Sequence, residues 1–397
     1  MSIPQQATKI VRSGIESDTQ HHAVIPPIYL SSNFAFEAFG KPGKYDYTRS
    51  GNPTRDLLGE ALAELEQGHG AVVTATGMAA VTLVLQLLEP QDLLFAPHDC
   101  YGGTYRLLSQ LKLRQVVNAE FHNQIEEDFI EKILSRKPKL VWIETPSNPL
   151  LRITDIDAIA GAAHSVGSIV VVDNTFLSPV LQQPLNLGAD IVIHSTTKYI
   201  NGHSDVVGGA VIAKTQELFD RLKYWANCLG LTASPFDAYL TLRGLRTLKA
   251  RLNLHLANTK AVVRVLGAHA AVQKVHYPGL KDHPGHAIAV KQQSGFGAMV
   301  SFELKDTEEV KVFLEALRYF SLAESLGGVE SLVAHPASMT HASMDPQARQ
   351  TAGISDGLLR LSVGIEDADD LSEAVQNALD AVLIHQQSAR ETANVGA

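Results

Sequence analysis

A chain of 397 residues with 45% hydrophobic content can bury a large core and divide into two or three domains. Its formal net charge of −9 speaks against a nucleic-acid partner held on a basic face. No apolar run reaches membrane-spanning length, and the start Met-Ser-Ile-Pro-Gln-Gln lacks the hydrophobic core of a signal peptide, so a cytoplasmic protein with neither a membrane nor a nucleic-acid partner is expected.

Residues 1–50 contain Pro26-Pro27 and Lys41-Pro42-Gly43 and hold neither a helical nor a strand period, which predicts an extended arm. After Asn52-Pro53-Thr54, the apolar residues Leu57, Leu58, Ala61, Leu62 and Leu65 fall at helical spacing, and Gly68 stands just past them as a stop. From about residue 52 to 215, short apolar runs alternate with helical patterns, the signature of a parallel sheet covered by helices. Strands are predicted at Ala71 to Thr74, Leu93 to Ala96, Val116 to Phe121, Leu140 to Glu144, Ser168 to Asp173, Asp190 to His194 and Gly209 to Ala213. After the first of them, Ala75-Thr76-Gly77-Met78 turns into the helical run Ala79 to Leu88. The backbone N–H groups of Gly77 and Met78 therefore sit where a helix N-terminus binds phosphate. After the second, His98-Asp99-Cys100-Tyr101-Gly102-Gly103 puts an aromatic ring at a strand end, where it either packs in the turn or stacks on a flat ligand.

The runs ending at Asp173 and His194 are β-branched and apolar on both faces, as buried parallel strands are, and the stretch between them is of crossover length. Both strands then point the same way and deliver Asp173 and Lys198 to the carboxyl edge, where open α/β sheets bind ligands. Alone, Asp173 reads equally as a turn cap and Lys198 as a solvated surface lysine. Together they supply an amine that can condense with an aldehyde and a carboxylate that can keep a pyridine nitrogen protonated. The hydroxyls of Ser195 and Thr197 lie close by in sequence to hold a phosphate, and this set points to pyridoxal phosphate. No Gly-x-Gly-x-x-Gly follows the first strand and no Walker-type loop is present, so dinucleotide and nucleotide readings lack support.

Cys100 and Cys228 are too few for a disulfide framework and both are expected to be buried structural thiols, and neither His98-Asp99-Cys100 nor His283 with His286 completes a four-ligand set, so no metal is expected. Further along, a helical stretch near Ala238 to Ala268 leads to strands at Val272 to Tyr277, Ala298 to Glu303 and Leu358 to Val363 among helices, which fits a smaller α/β domain. The polar tail after about Gln386 is expected to fray. The expected limits are 1–50 for the arm, 51–250 for the cofactor domain and 251–397 for the C-terminal domain.

Several stretches now stand together: Tyr47-Thr48-Arg49-Ser50-Gly51-Asn52-Pro53-Thr54-Arg55, Ala75 to Ala80, His98 to Arg106, Glu144-Thr145-Pro146-Ser147-Asn148-Pro149, Val172 to Phe176, Ser195 to Asp205, Leu322 to Ser331 and Leu359 to Glu366. With them the chain resembles the Cys/Met-metabolism pyridoxal-phosphate enzymes of the aspartate aminotransferase fold, and among these the bacterial cystathionine γ-synthases. The resemblance implies an α/β fold of type I, with a mostly parallel seven-stranded sheet domain and a smaller C-terminal α/β domain.

It also implies roles for single residues. Lys198 would be the Schiff-base lysine and proton shuttle, Asp173 the partner of the pyridine nitrogen and Tyr101 the stacking ring. Gly77, Met78, Ser195 and Thr197 would hold the phosphate, joined by Tyr47 and Arg49 from a neighbouring subunit. A shared site of that kind implies a homo-oligomer, a tetramer built as a dimer of dimers. Arg360 would bind the substrate α-carboxylate, unless it is a structural ion-pair partner, with Asn148 and Ser325 lining the same pocket. Glu324 would handle the amino group of cystathionine or cysteine, and Arg106 the acyl end of the donor.

The implied activity is γ-replacement, joining O-succinylhomoserine or another O-acylhomoserine to cysteine in methionine biosynthesis. The alternative is γ-cleavage of cystathionine to cysteine, 2-oxobutyrate and ammonia. One departure bears on the choice: Ser50 stands where succinyl-using synthases often carry a second arginine, which leaves Arg106 more of the task of holding the distal carboxylate. A cofactor-holding sensor is a third reading, but it has no need of a proton-shuttling lysine.

Overall fold

The computed structural model describes residues 4–340 and 346–395. Seven strands, β1 (Gly70–Thr74), β2 (Leu93–Pro97), β3 (Asn118–His122), β4 (Leu140–Glu144), β5 (Ile169–Asp173), β6 (Ile191–His194) and β7 (Gly209–Ala213), form one sheet in the order β1-β7-β6-β5-β4-β2-β3. Only β7 runs against its neighbours. Each of the seven falls where the apolar runs predict it, within two residues at either end. Val170 and Val172 belong to the apolar layer on one face and Val171 to the layer on the other, so β5 is covered on both sides and has no polar face to show in its sequence.

The first layer is closed by a helix, α2 (Pro53–Glu66), through Leu58, Leu62 and Leu65. Asn52 caps its start by accepting from Thr54 N and Arg55 N, and Pro53 occupies the first turn, where its missing N–H costs nothing. The stop differs from the sequence expectation. Gln67, at φ 61, takes the left-handed position, and Gly68 donates from N to Ala63 O at 2.8 Å. A Cβ on Gly68 would collide with Ile212 Cγ2, so this glycine serves close approach to β7 instead of backbone handedness.

The arm carries a short helix, α1 (Gln6–Arg12), that the sequence does not announce, because Ile10 is its one buried residue and a single contact makes no period. Beyond it the arm has only isolated bridges, Asn33 with Tyr47 and Ala38 with Lys41, and it leaves Val24, Leu30, Phe36 and Phe39 exposed. The predicted helix near Ala238 to Ala268 is two helices, Pro235–Leu245 and Leu248–Ala268.

The second sheet contains β8 (Lys274–His276), β9 (Met299–Glu303), β10 (Phe320–Leu322), β11 (Ser331–Ala334) and β12 (Leu358–Ser362) in the order β10-β11-β12-β9-β8. β10 and β11, three and four residues long, were too short to show a period. Val262 and Leu266 of the helix Leu248–Ala268 and Val375 and Leu379 of the helix Ala368–Val395 build the core of this unit with Phe302 and Leu361. The last helix runs past Gln386, where fraying is expected from composition; Ala, Gln, Arg and Glu in that tail are favourable helix formers. Among the described residues, no helix is long and apolar enough to cross a membrane.

Candidate active site

Strands β1, β2, β4, β5 and β6 share one direction, so the segments that follow them converge at one edge of the sheet. There they line a cavity of about 630 Å³ together with Glu324, Ser325 and Arg360 from the second sheet unit. Gly77, Met78, Tyr101, Arg106, Asn148, Asp173, Ser195, Thr197 and Lys198 all face this cavity. Tyr47 and Arg49 do not. Arg49 donates from Nε to Asn227 Oδ1 at 3.0 Å and lies 5.1 Å from the centre of the Tyr47 ring, on a different part of the surface.

The end of the cavity nearest β1 suits a phosphate. Gly77 and Met78 open the helix α3 (Gly77–Leu85), whose cap Thr76 accepts from Ala79 N at its hydroxyl and from Ala80 N at its carbonyl, so the first two N–H groups have no acceptor within the helix. A Cβ on Gly77 would fall 2.9 Å from Ser195 Cβ, which shows how closely the two segments meet. The Thr197 hydroxyl is already engaged, accepting from Gly208 N at 3.0 Å and donating to Gly208 O at 3.2 Å. To serve a phosphate it must turn its proton away from that carbonyl. Tyr101 precedes the helix α4 (Gly102–Leu113) and is 47% exposed. A Cβ on Gly103 would fall 2.6 Å from Tyr101 Cε1 and 2.9 Å from Met78 Sδ, so only a glycine there lets ring and sulfur approach.

The floor of the cavity is acidic. Asp173 lies on the face of the sheet that Val171 of β5 and Ile193 of β6 mark, accepts from Thr175 N at 3.0 Å, and stands in register with Glu144 on β4. Burial pushes both carboxyls up from their ordinary values, and the Asp173 charge pushes Glu144 further. Glu144 accepts from Tyr101 N at 2.8 Å and so also fixes the ring that covers the site. Sequence reasoning did not give Glu144 a role, although the signal was the same as for Asp173: an acid closing a buried strand.

The opposite wall holds the amine. Lys198 donates from Nζ to Ser325 Oγ at 2.7 Å, and burial, with a smaller contribution from the Arg360 charge, lowers its ammonium to about 8, against an opposing pull from Glu324. Ser325 sits at φ 97, a conformation that costs a residue with a Cβ about 1–3 kcal/mol. That turn aims its hydroxyl at Lys198 and its carbonyl at Arg360, which donates from Nη2 at 2.9 Å. Arg360 lies within β12, is 3% exposed, and donates from Nη1 to Asn148 Oδ1 at 2.8 Å. Among the described residues its Nε has no acceptor, and burial lowers the guanidinium to about 10. A buried cation that lines a cavity and keeps one donor unmatched is the arrangement a carboxylate ligand would complete. Behind this wall, Asp99 accepts from Arg152 Nη1 at 2.6 Å and from Ser147 Oγ at 2.8 Å, so the His98-Asp99-Cys100 stretch anchors the segment bearing Asn148. Met339 also lines the cavity, from a connection whose sequence carries no local signal.

These features fit pyridoxal phosphate. The Gly77–Ser195 cradle suits the phosphate, the buried Asp173 and Glu144 suit a protonated ring nitrogen, and a lysine lowered to about 8 suits an aldehyde. Comparison with known proteins agrees. Cystathionine gamma-synthase of Escherichia coli strain K12 is 54% identical over 379 residues, 95% of this chain and 98% of that protein. A crystal structure of cystathionine gamma synthase from Xanthomonas oryzae pv. oryzae, in complex with aminoacrylate and cysteine, is 59% identical with a TM-score of 0.95, covering 96% of this chain and all of the other. Cystathionine gamma-lyase from Lactobacillus plantarum, complexed with L-serine, superposes with a TM-score of 0.92 at 39% identity, covering 96% of this chain and all of its own, so the fold alone does not separate the two reactions. Residues 7–380 match the family described as Cys/Met metabolism PLP-dependent enzyme, and the chain belongs to that family.

Proposed function

We propose that the protein is a cystathionine γ-synthase that joins O-succinylhomoserine, or another O-acylhomoserine, to cysteine in methionine biosynthesis in the cytoplasm. The Cγ–O bond of the donor breaks, the cysteine sulfur takes its place, and the acid leaves with the thiol proton. The carrying observation is the Lys198–Ser325–Arg360–Asn148 chain, which places an easily deprotonated amine beside a buried guanidinium with an unused donor. Greater identity to the synthases than to the γ-lyase supports the choice of reaction.

Bound pyridoxal phosphate supplies an electron sink that acidifies the Cα and Cβ protons of an amino acid attached to it. Arg360 binds the α-carboxylate through its planar fork and so fixes which face of Cα meets Lys198. Lys198 Nζ removes the Cα proton, and Ser325 Oγ keeps the amine aimed when it is free. Asp173 holds the proton on the ring nitrogen, Tyr101 covers the ring, and Gly77, Met78, Ser195 and Thr197 hold the phosphate. Asn148 keeps the Arg360 fork in plane. Arg106 takes the distal carboxylate of the donor, and Glu324 the amino group of the incoming cysteine.

Residues 1–50 act as an arm that carries Tyr47 and Arg49 to the phosphate of a neighbouring copy, in a tetramer built as a dimer of dimers. The cofactor domain then spans 51–250 and the C-terminal domain 251–397.

The competing reading is γ-lyase chemistry, and supplying cystathionine alone to the purified holoenzyme tests it. Release of 2-oxobutyrate should be slow beside the rate at which donor and cysteine are consumed; comparable or faster release would give the protein to the lyases.

A further inference from the structure

A buried polar cluster lies behind the cavity floor, on the opposite face of the sheet, and none of its members takes part in the steps above. Glu66, the last residue of α2, is fully buried in the layer that Leu58, Leu62 and Leu65 build. Its Oε1 meets His194 Nε2 at 2.6 Å and accepts from Asn174 Nδ2 at 2.9 Å. Asn174 Oδ1 accepts in turn from Gln182 Nε2 at 3.1 Å, and the same Gln182 group donates to Thr145 O at 3.1 Å. His194, Asn174 and Gln182 are buried as well, while Glu66 Oε2 and His194 Nδ1 have no partner among the described residues.

The sequence positions of these groups matter. Thr145 follows Glu144, Asn174 follows Asp173 and His194 precedes Ser195, so one cluster grips the ends of β4, β5 and β6 from behind while Glu144, Asp173 and Ser195 beside them face the cavity. Strand alternation accounts for the division at Asn174 and His194, whose side chains point away from those of Asp173 and Ser195, while Thr145 takes part through its carbonyl. A carboxylate buried among leucines is costly, and an apolar residue of similar size would serve packing as well or better. Its placement where it reaches two of the strand ends directly, and the third through Asn174 and Gln182, needs another reason.

We propose that Glu66 is a positioning residue for the cofactor site: with Asn174 and His194 it sets the ends of β5 and β6 in one frame, fixing the spacing between Asp173 and the phosphate-binding Ser195. This rests on the cofactor site described above.

The test measures pyridoxal phosphate binding to the cofactor-free full-length protein by equilibrium dialysis, with the visible band of the reconstituted protein and the thermal midpoint recorded for each variant. Glu66→Gln, which keeps the shape and loses the charge, and Asn174→Ala, which removes the link to β5, are each expected to raise Kd about tenfold and to weaken the band at fixed pH. Ser168→Ala breaks a buried hydrogen bond to Pro138 O at the far end of the same strand and is expected to lower the thermal midpoint without changing Kd. Kd within about twofold of the parent for both Glu66→Gln and Asn174→Ala, or a rise matched by Ser168→Ala, would overturn the proposal. Asp173→Asn is run alongside. If it raises Kd while the two cluster variants do not, only the positioning role falls; if it also leaves Kd and band unchanged, the cofactor site falls and the inference with it.

Discussion

At the scale of single residues, the chemistry depends on how burial treats Lys198 and Arg360. Lys198 is lowered to about 8 from an ordinary 10.5, so its amine is half neutral near pH 8. Capture of pyridoxal phosphate by the cofactor-free protein should therefore rise with pH and level off above a midpoint near 8; a midpoint near the ordinary lysine value would contradict the assignment. The stability sign follows from the same shift. The folded chain holds fewer protons at this residue than the unfolded chain between about 8 and 10.5, so the cost of burying Lys198 shrinks as pH rises through that window. Lys198→Ala should abolish turnover and leave the fold intact by circular dichroism. Arg360→Lys removes the fork and should raise KM about tenfold or more with a smaller change in kcat; an unchanged KM would argue against a carboxylate-binding role. Asp173 and Lys198 were legible in the sequence because each ends or follows an apolar run that could only be a buried strand. The partnership of Lys198 with Ser325, 127 residues apart, was not, since it depends on the second sheet unit folding against the first and on a serine held at φ 97.

At the scale of elements, glycines and caps decide where the helices begin and how closely they approach. Gly77→Ala puts a Cβ 2.9 Å from Ser195 Cβ and should weaken cofactor binding, measured as Kd for pyridoxal phosphate. Gly161→Ala is the comparison. Nothing lies within 4 Å of its Cβ, and it should leave Kd unchanged and stabilise its helix by about 0.5–1 kcal/mol. Asn52→Ala removes the cap of α2 and should cost about 1–2 kcal/mol in denaturant unfolding. The strands of the main sheet could be read from sequence because burial on both faces leaves unbroken Val, Ile and Leu runs. β10 and β11 could not, being short and held in place by neighbours, and α1 shows nothing because it buries one side chain. Gly68 shows a subtler limit: its position after the helix was legible, but the reason for it, contact with Ile212, comes from a strand far away in sequence.

At the scale of the whole molecule, the cavity draws on both sheet units of one chain, while Tyr47 and Arg49 lie elsewhere on that chain's surface. The exposed Leu30, Phe36 and Phe39 of the arm add apolar area that a second copy would cover. If the arm completes a neighbour's site, Arg49→Ala and Lys198→Ala chains, each inactive alone, should regain activity when refolded together, because a mixed pair contains one site with both residues intact. Failure of mixed oligomers to recover any activity would confine the site to one chain. Replacement at Cγ is tested by a mass-spectrometric product profile of the holoenzyme given O-succinylhomoserine and isotopically labelled cysteine. The expected result is cystathionine carrying the label as the main product, with 2-oxobutyrate minor; labelled cysteine left unconsumed while the donor drains only to 2-oxobutyrate would contradict it.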